Sequence, residues 1–349
     1  MRSIVIAEKK ISDETEPFVI AEIGHNHQGS LATCLQMIQA AAFSGASAVK
    51  LQKRDNKTLF TPDAYNSPYN SENAYGPTYG THRDALEFGK EEYQACIEEA
   101  KRSNIVFFST AFDYKSADFL EELDVPAYKI ASGDLKSIPL LRYVASFGKP
   151  MIVSTGGATL RETDLAVETI SATGTPFALL QCTAGYPPKH SELNLRVIET
   201  YRNRYPEIVV GYSGHDSGIA MALVSYLLGA RVIEKHFTLN RAMKGTDHSF
   251  SLEPTGMRKM VRDLSRAKEA LGDGVKVVYE SEKAPVTKMG KMIIPSRDIL
   301  KGEKVSEADF EIRSPAIGLD PTNWDLIIGK RTKRNLTKFS TLSIEDFEI

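Results

Sequence analysis

The chain reads as an α/β protein, a (β/α)8 TIM barrel followed by a small β-rich module, and three observations lead there. Eight short apolar runs alternate with longer amphipathic stretches over residues 1–271. The runs are apolar throughout rather than alternating, as strands buried on both faces of a parallel sheet must be. Each has a polar or charged residue at its end or immediately beside it, and in a barrel the C-terminal ends of the strands carry the chemistry. A doubly wound open sheet is the competing arrangement for the same alternation.

The runs are Phe18–Ile23, Ala48–Gln52, Ile105–Ser109, Ala127–Ala131, Met151–Ser154, Phe177–Gln181, Ile208–Tyr212 and Val232–Lys235. Helical periodicity covers Leu31–Ser44, Lys90–Ser103, Ser116–Leu123, Leu160–Ala172 and Ile219–Leu228, with Met257–Leu271 after the last run. Gly45, Gly174, Gly229 and Gly272 stand where helices should be capped, because glycine takes the left-handed cap conformation freely. The connection 53–89 far exceeds the roughly 2–6 residues usual between strand and helix. It carries Tyr65, Tyr69, Tyr75 and Tyr79, then Gly80-Thr-His-Arg83, and reads as a lid or substrate wall on the catalytic face. Residues 1–280 are assigned to the barrel, 281–288 to a linker and 289–349 to a separate module with turns at Lys301-Gly302 and Gly318.

Composition narrows the function by exclusion. Of 349 residues, 42% are hydrophobic and 25% charged, the make-up of an ordinary globular chain. Lys and Arg number 43 against 45 Asp and Glu, so no nucleic acid or acidic membrane is expected as a partner. Cys34, Cys96 and Cys182 are odd in number and lack a CxxC pair, which fits a reducing, cytoplasmic setting. The N-terminal residues have no signal-peptide core, and no window approaches the roughly 18 apolar residues of a membrane span. Neither GxGxxG nor GxxxxGK[ST] is present, which leaves a nucleotide fold unsupported.

The strand ends supply Glu22; Lys50 and Gln52; Thr110; Lys129, Ser132 and Asp134; Ser154; Thr183; Ser213, His215 and Asp216; Glu234 and His236. His215 and His236 follow neighbouring strands, so two neutral nitrogen donors point into one pocket, a set that suits a divalent ion. Lys50 and Lys129, with the hydroxyls of Ser132, Ser154 and Ser213, make a phosphate cradle. A buried lysine there also suits Schiff-base chemistry, so a metal-independent aldolase of the same fold stays open.

Six motifs then stand in order: Ile20-Ala-Glu-Ile-Gly-His-Asn-His-Gln-Gly29, Val49-Lys-Leu-Gln52, Tyr128-Lys-Ile-Ala-Ser-Gly-Asp134, Gln181-Cys-Thr183 with Tyr186-Pro187, Gly211-Tyr-Ser-Gly-His215 and Glu234-Lys-His236. Together they resemble the sialic acid (N-acetylneuraminate) synthase family, and the tail from Met289 resembles its antifreeze-like (SAF) domain of β-clip type. The resemblance implies a transferase that condenses phosphoenolpyruvate with the open-chain aldehyde of an N-acetylmannosamine-type sugar. Phosphate leaves by C–O cleavage, and Mn2+ or Mg2+ is required. It implies that His215 and His236 hold the metal, and that Lys50, Thr110, Lys129, Ser132, Ser154 and Ser213 bind phosphoenolpyruvate. Glu22, Gln52, Asp134 and Asp247 would meet the sugar or the attacking water, with Thr183 and Tyr186 completing the substrate-binding set. It further implies a domain-swapped homodimer in which Arg313 reaches the partner's sugar site. Some members carry Glu where this chain has Asp134, and Asn where it has Ala184. The sugar stays open among N-acetylmannosamine, its 6-phosphate and the precursors of legionaminic and pseudaminic acids. A non-catalytic carbohydrate-binding protein is the third alternative, set against the full complement of polar strand ends.

Overall fold

The computed structural model describes residues 2–349. A hairpin opens the chain, β1 (Ser3–Ile6) against β2 (Lys9–Ser12), turning through Ala7 and Glu8 at φ 46° and 67°. Eight parallel strands follow: β3 (Phe18–Gly24), β4 (Ala48–Lys53), β5 (Val106–Ala111), β6 (Tyr128–Ile130), β7 (Met151–Ser154), β8 (Phe177–Cys182), β9 (Val209–Gly214) and β10 (Val232–His236). They close into a barrel when β10 pairs with β3, Val232 beside Phe18. The eight strands match the eight apolar runs to within one or two residues at most ends.

Two packing layers explain why these runs are apolar on both faces. Inside the barrel, Phe18, Ile20, Val106, Phe108, Ile152, Leu180, Val209 and Val232 form one buried cluster. Ile4, Ile6 and Ile11 of the hairpin join it, so β1 and β2 plug the N-terminal end and leave the C-terminal end open. Outside, Val19, Ala21, Val49, Ile130, Val153, Leu179 and Ile233 meet the inward faces of the helices. The hairpin is not legible in the sequence as a turn, since Ala7-Glu8 lacks the Asn or Gly that normally marks positive φ. Two further helices, Ile138–Ala145 and Val197–Arg204, stand where no helical periodicity is assigned.

The 53–89 connection is a folded insertion rather than an open loop. It contains the helices Asn56–Leu59, Pro62–Asn66 and Tyr79–Asp84. Asn56 donates to Asp84 at 2.8 Å, and Tyr69 stacks on His82 with ring centroids 4.5 Å apart. Tyr75 Oη donates to Lys244 O at 2.8 Å, and Lys244 Nζ donates to Ala74 O at 2.6 Å, bracing the insertion against the loop after β10.

The chain divides into two compact units after Leu271, and Gly272–Ile349 is the second. Residues 281–288, expected as a linker, lie wholly within a helix, Glu280–Met289, of that unit. Its antiparallel pair, β11 (Met292–Pro295) and β12 (Phe310–Arg313), packs in a core of Ile293, Ile299, Val305, Phe310, Leu336 and Phe347. Asp309 accepts from Arg297 at 2.7 Å and Asp346 pairs with Arg334, so two carboxylates tie loops that the small core does not reach. Among the described residues no helix is long and apolar enough to cross a membrane.

Candidate functional site

A cavity of about 550 Å³ opens at the C-terminal end of the barrel. Twelve of the sequence-predicted residues line it: Glu22, Lys50, Gln52, Thr110, Lys129, Ser132, Ser154, Tyr186, Ser213, His215, His236 and Asp247. Strand alternation explains the set, because residues two apart on a strand face the same way. Lys50 and Gln52 thus point in together from β4, as do Glu234 and His236 from β10. Three predicted residues are not on this wall. Thr183 follows Cys182 with opposite facing, and its hydroxyl donates to Glu192 O at 3.0 Å. Asp134 ends the 3-10 turn Ser132–Asp134, and its Oδ2 is buried without a partner. Arg313 belongs to β12 of the second unit, where its Nε donates to Glu311 at 2.7 Å and its guanidinium lies 4.7 Å from the Phe339 ring centre.

At the floor of the cavity, two ammonium groups stand among carboxylates. Lys50 Nζ contacts Glu22 and donates to Thr110 Oγ1 at 2.8 Å. Lys129 Nζ donates to Ser154 Oγ at 2.6 Å and to Ile130 O at 2.8 Å. Gln52 Nε2 donates to Glu22 Oε1 at 2.6 Å, and Ser213 Oγ donates to Glu234 Oε1 at 3.1 Å. Burial raises the Glu22 carboxyl to about 7, opposed by Lys50 and reinforced by the neighbouring Glu234 charge. Burial also works against charge on Glu234, but Lys129 and Lys50 offset it and hold this carboxyl below its usual range. Two carboxyls across one cavity thus hold protons with different strength, the arrangement that separates acid from base roles.

The two imidazoles meet as the sequence predicts, with ring centroids 5.2 Å apart. His215 Nδ1 lies 3.0 Å from Thr183 O, and because a carbonyl only accepts, Nδ1 carries a proton. Thr183 therefore serves through its backbone, as the group that sets the His215 tautomer. His236 Nδ1 is buried without a hydrogen-bond partner, with Asp247 Oδ2 at 3.8 Å. Burial holds the His236 ring below its ordinary pKa, so it stays neutral. These two nitrogen donors fit a divalent ion, with the remaining positions left to substrate and water. Among the described residues, no group of three or more His, Cys, Asp or Glu side chains is arranged to hold a metal.

The cavity also contains groups that the sequence reading left out, Arg54, Arg83, Phe112, Cys182 and Thr246, and one that it placed at a strand end without a role, Glu234. Glu234 stood at a strand end and Arg54 continues the Lys50, Gln52 alternation, so both had a signal. Arg83 had none, since only the folded insertion carries it to the mouth. Asp216, another strand-end residue, turns away from the cavity. Its Oδ1 accepts from Lys235 Nζ at 2.9 Å and from Tyr212 Oη at 2.7 Å, and both charged side chains are 1% exposed. This pair pins the turn that carries His215 against β10.

A closed parallel barrel whose C-terminal mouth gathers buried ammonium and carboxyl groups beside two imidazoles has the make-up of an enzyme's site. Residues 37–276 match the model of the NeuB family, and residues 290–348 match the SAF domain. The chain belongs to the NeuB family, sialic and related nonulosonic acid synthases. It is 38% identical over 332 residues to the N-acetylneuraminate-9-phosphate synthase of Mus musculus, covering 95% of this chain and 92% of that protein. It is 35% identical over 321 residues to the N,N'-diacetyllegionaminic acid synthase of Campylobacter jejuni, covering 91% and 96% respectively. Among solved structures, the N-acetylneuraminic acid synthetase of Leptospira borgpetersenii, in complex with citrate, superposes with a TM-score of 0.70 at 35% identity. That match covers 82% of this chain and 95% of the other.

Lys235→Met leaves Asp216 charged and buried with only the Tyr212 hydroxyl, and should cost about 3–5 kcal/mol of stability by urea unfolding. Lys235→Met combined with Asp216→Leu removes both charges and should recover part of that loss. A double variant as unstable as the sum of the singles would show that the two residues act independently.

Proposed function

We propose that this protein condenses phosphoenolpyruvate with the open-chain aldehyde of an N-acetylmannosamine-type sugar. The products are a nine-carbon 2-keto acid and inorganic phosphate. The observation that carries this reading is the juxtaposition, in one cavity, of the Lys50 and Lys129 ammoniums with Glu22 and the two imidazoles of His215 and His236. Membership of the NeuB family supports it.

Lys50, Lys129, Thr110, Ser132, Ser154 and Ser213 bind the phosphate and carboxylate of phosphoenolpyruvate as ammonium and hydroxyl donors. The methylene carbon bonds to the aldehyde carbon, and water adds at the adjacent enol carbon. That carbon then expels phosphate with C–O cleavage and becomes the keto group. Glu22 orients the water and takes its proton, while Gln52 fixes the Glu22 carboxyl through Oε1 and keeps it aimed. Asp247 and Tyr186 flank the sugar at the imidazole side, and Asp134 and Thr183 support the wall behind. His215 and His236 would hold Mn2+ or Mg2+, which supplies Lewis-acid polarisation of the aldehyde oxygen. The domain-swapped homodimer and the contact of Arg313 with the partner's sugar belong to the same reading.

The function is tested by phosphate release from phosphoenolpyruvate with Mn2+ and a panel of aldehyde sugars. Release that stops with EDTA and returns with Mn2+ is the expected outcome. A borohydride-trapped lysine adduct without metal would point to the Schiff-base aldolase instead. Glu22→Gln should lower turnover by roughly 10²–10⁴-fold, the usual scale of a lost general base. It should leave Mn2+ affinity by calorimetry unchanged, and near-normal turnover rules the assignment out. Sedimentation should give twice the chain mass, and Arg313→Ala should raise the sugar KM more than the phosphoenolpyruvate KM. A monomeric active enzyme removes the swapped arrangement.

A further inference from the structure

Asp247 lines the cavity from the loop after β10, a stretch that belongs to no strand or helix. Strand alternation cannot aim such a residue, so its place is set by whatever holds the loop. Two sets of hydrogen bonds do so, one on each side of Thr246 and Asp247.

The following side is tied to the barrel. Ser251 Oγ donates to Asp247 O at 2.6 Å and accepts from Asn26 Nδ2 at 3.0 Å, and the same amide donates to Phe237 O at 2.9 Å. His248 Nδ1 lies 2.8 Å from Thr238 Oγ1, and its ring also meets the Lys244 backbone. Asn26, Thr238, His248 and Ser251 are all buried, so this anchor is part of the barrel's own packing.

The preceding side is tied to the insertion. Lys244 O accepts from Tyr75 Oη at 2.8 Å and from Gln28 Nε2 at 2.6 Å. Gly245 N donates to Asn73 Oδ1 at 2.9 Å, while Lys244 Nζ donates to Ala74 O at 2.6 Å and stands 4.7 Å from the Tyr75 ring centre. Residues 73–75 thus clasp residues 244 and 245. The clasp is itself braced, because the Tyr75 backbone N–H donates to Nδ1 of the buried His82 at 3.1 Å.

The link from clasp to carboxylate is short and stiff. Gly245 sits at φ 148°, and a Cβ there would lie 2.7 Å from His248 Cδ2, so only glycine fits the turn. Two residues span at most roughly 7 Å, so a shift of Gly245 passes to Asp247 rather than being absorbed. The carboxylate accepts from Thr246 Oγ1 at 2.9 Å and stands 3.8 Å from His236 Nδ1, beyond hydrogen-bond reach. Among the described residues no barrel side chain hydrogen-bonds it, and its aim depends on the backbone that the two anchors fix.

We propose that Asn73 and Tyr75 are positioning residues for Asp247, so that the insertion, by clasping Lys244 and Gly245, sets where this carboxylate meets the sugar. Neither residue lines the cavity, and both act through the loop. The inference rests on the synthase reading, which puts Asp247 beside the sugar, and gives the insertion a task in it.

The first readout is phosphate release from phosphoenolpyruvate by the Mn2+-loaded full chain, with each sugar of the panel that turns over. Tyr75→Phe and Asn73→Ala should each raise the sugar KM about three- to tenfold, the scale of one lost hydrogen bond, and leave the phosphoenolpyruvate KM unchanged. Asn73→Asp, which keeps the oxygen that accepts from Gly245, should restore most of it. In an Asp247→Asn background Tyr75→Phe should add little, because the group it acts through is already changed. Effects that multiply in full, or a KM defect shared by phosphoenolpyruvate, overturn the proposal and leave the synthase reading standing. The second readout needs no turnover. Amide hydrogen exchange over residues 242–249 should speed up in Tyr75→Phe and in Asn73→Ala, and unchanged exchange overturns the clasp. If no sugar releases phosphate, the synthase reading falls, and exchange alone decides whether the insertion holds Asp247 in place.

Discussion

Strand β10 pairs with β3 in parallel, and that one ladder sets His236 beside Glu22 and brings the last strand of the barrel against the first. Because side chains alternate along a strand, a one-residue slip there would turn every polar strand end out of the cavity. The same logic holds between β9 and β10, where Ser213 pairs with Glu234, and between β3 and β4, where Glu22 pairs with Lys50. The site is therefore a consequence of barrel register. The interior cluster of Phe18, Ile20, Phe108, Ile152 and Leu180, capped from below by the hairpin isoleucines, is what holds that register.

Burying Lys50, Lys129, Glu22 and Glu234 within one cavity is costly, and the structure shows how the cost is limited. Each ammonium has a hydroxyl and a carboxyl within reach, and Gln52 and Ser213 donate to the carboxyls. Removing any one of these groups leaves the others with uncompensated charge, which makes the set cooperative rather than a sum of contacts. The Lys235–Asp216 pair repeats the device on the outer face of the same strands. There it serves geometry, because the turn it anchors carries His215.

The insertion between β4 and the helix Lys90–Arg102 adds the outer layer. Its three short helices are too brief to be stable alone and depend on contacts such as Asn56 with Asp84 and Tyr75 with Lys244 O. In return it brings Arg83 and Glu87 to either side of His25. The cavity thus has a floor made by strands and a rim made by an insertion.

The local pattern of the chain determined the barrel strands, the site's floor and the long insertion. Buried parallel strands are apolar along their whole length, and a polar residue after such a run has nowhere to face but the mouth. Glu22, Lys50, Lys129, His215 and His236 were legible for that reason. A hairpin turning at Ala7-Glu8 was not, because no turn residue marks the reversal. Which side a residue faces after its strand has ended, as for Thr183, Asp134 and Asp216, depends on the turn that follows and not on alternation. The meeting of Arg54, His25 and Arg83 was decided by the tertiary structure alone. It joins the ends of two strands to a helix inside an insertion, and no spacing along the chain encodes that approach.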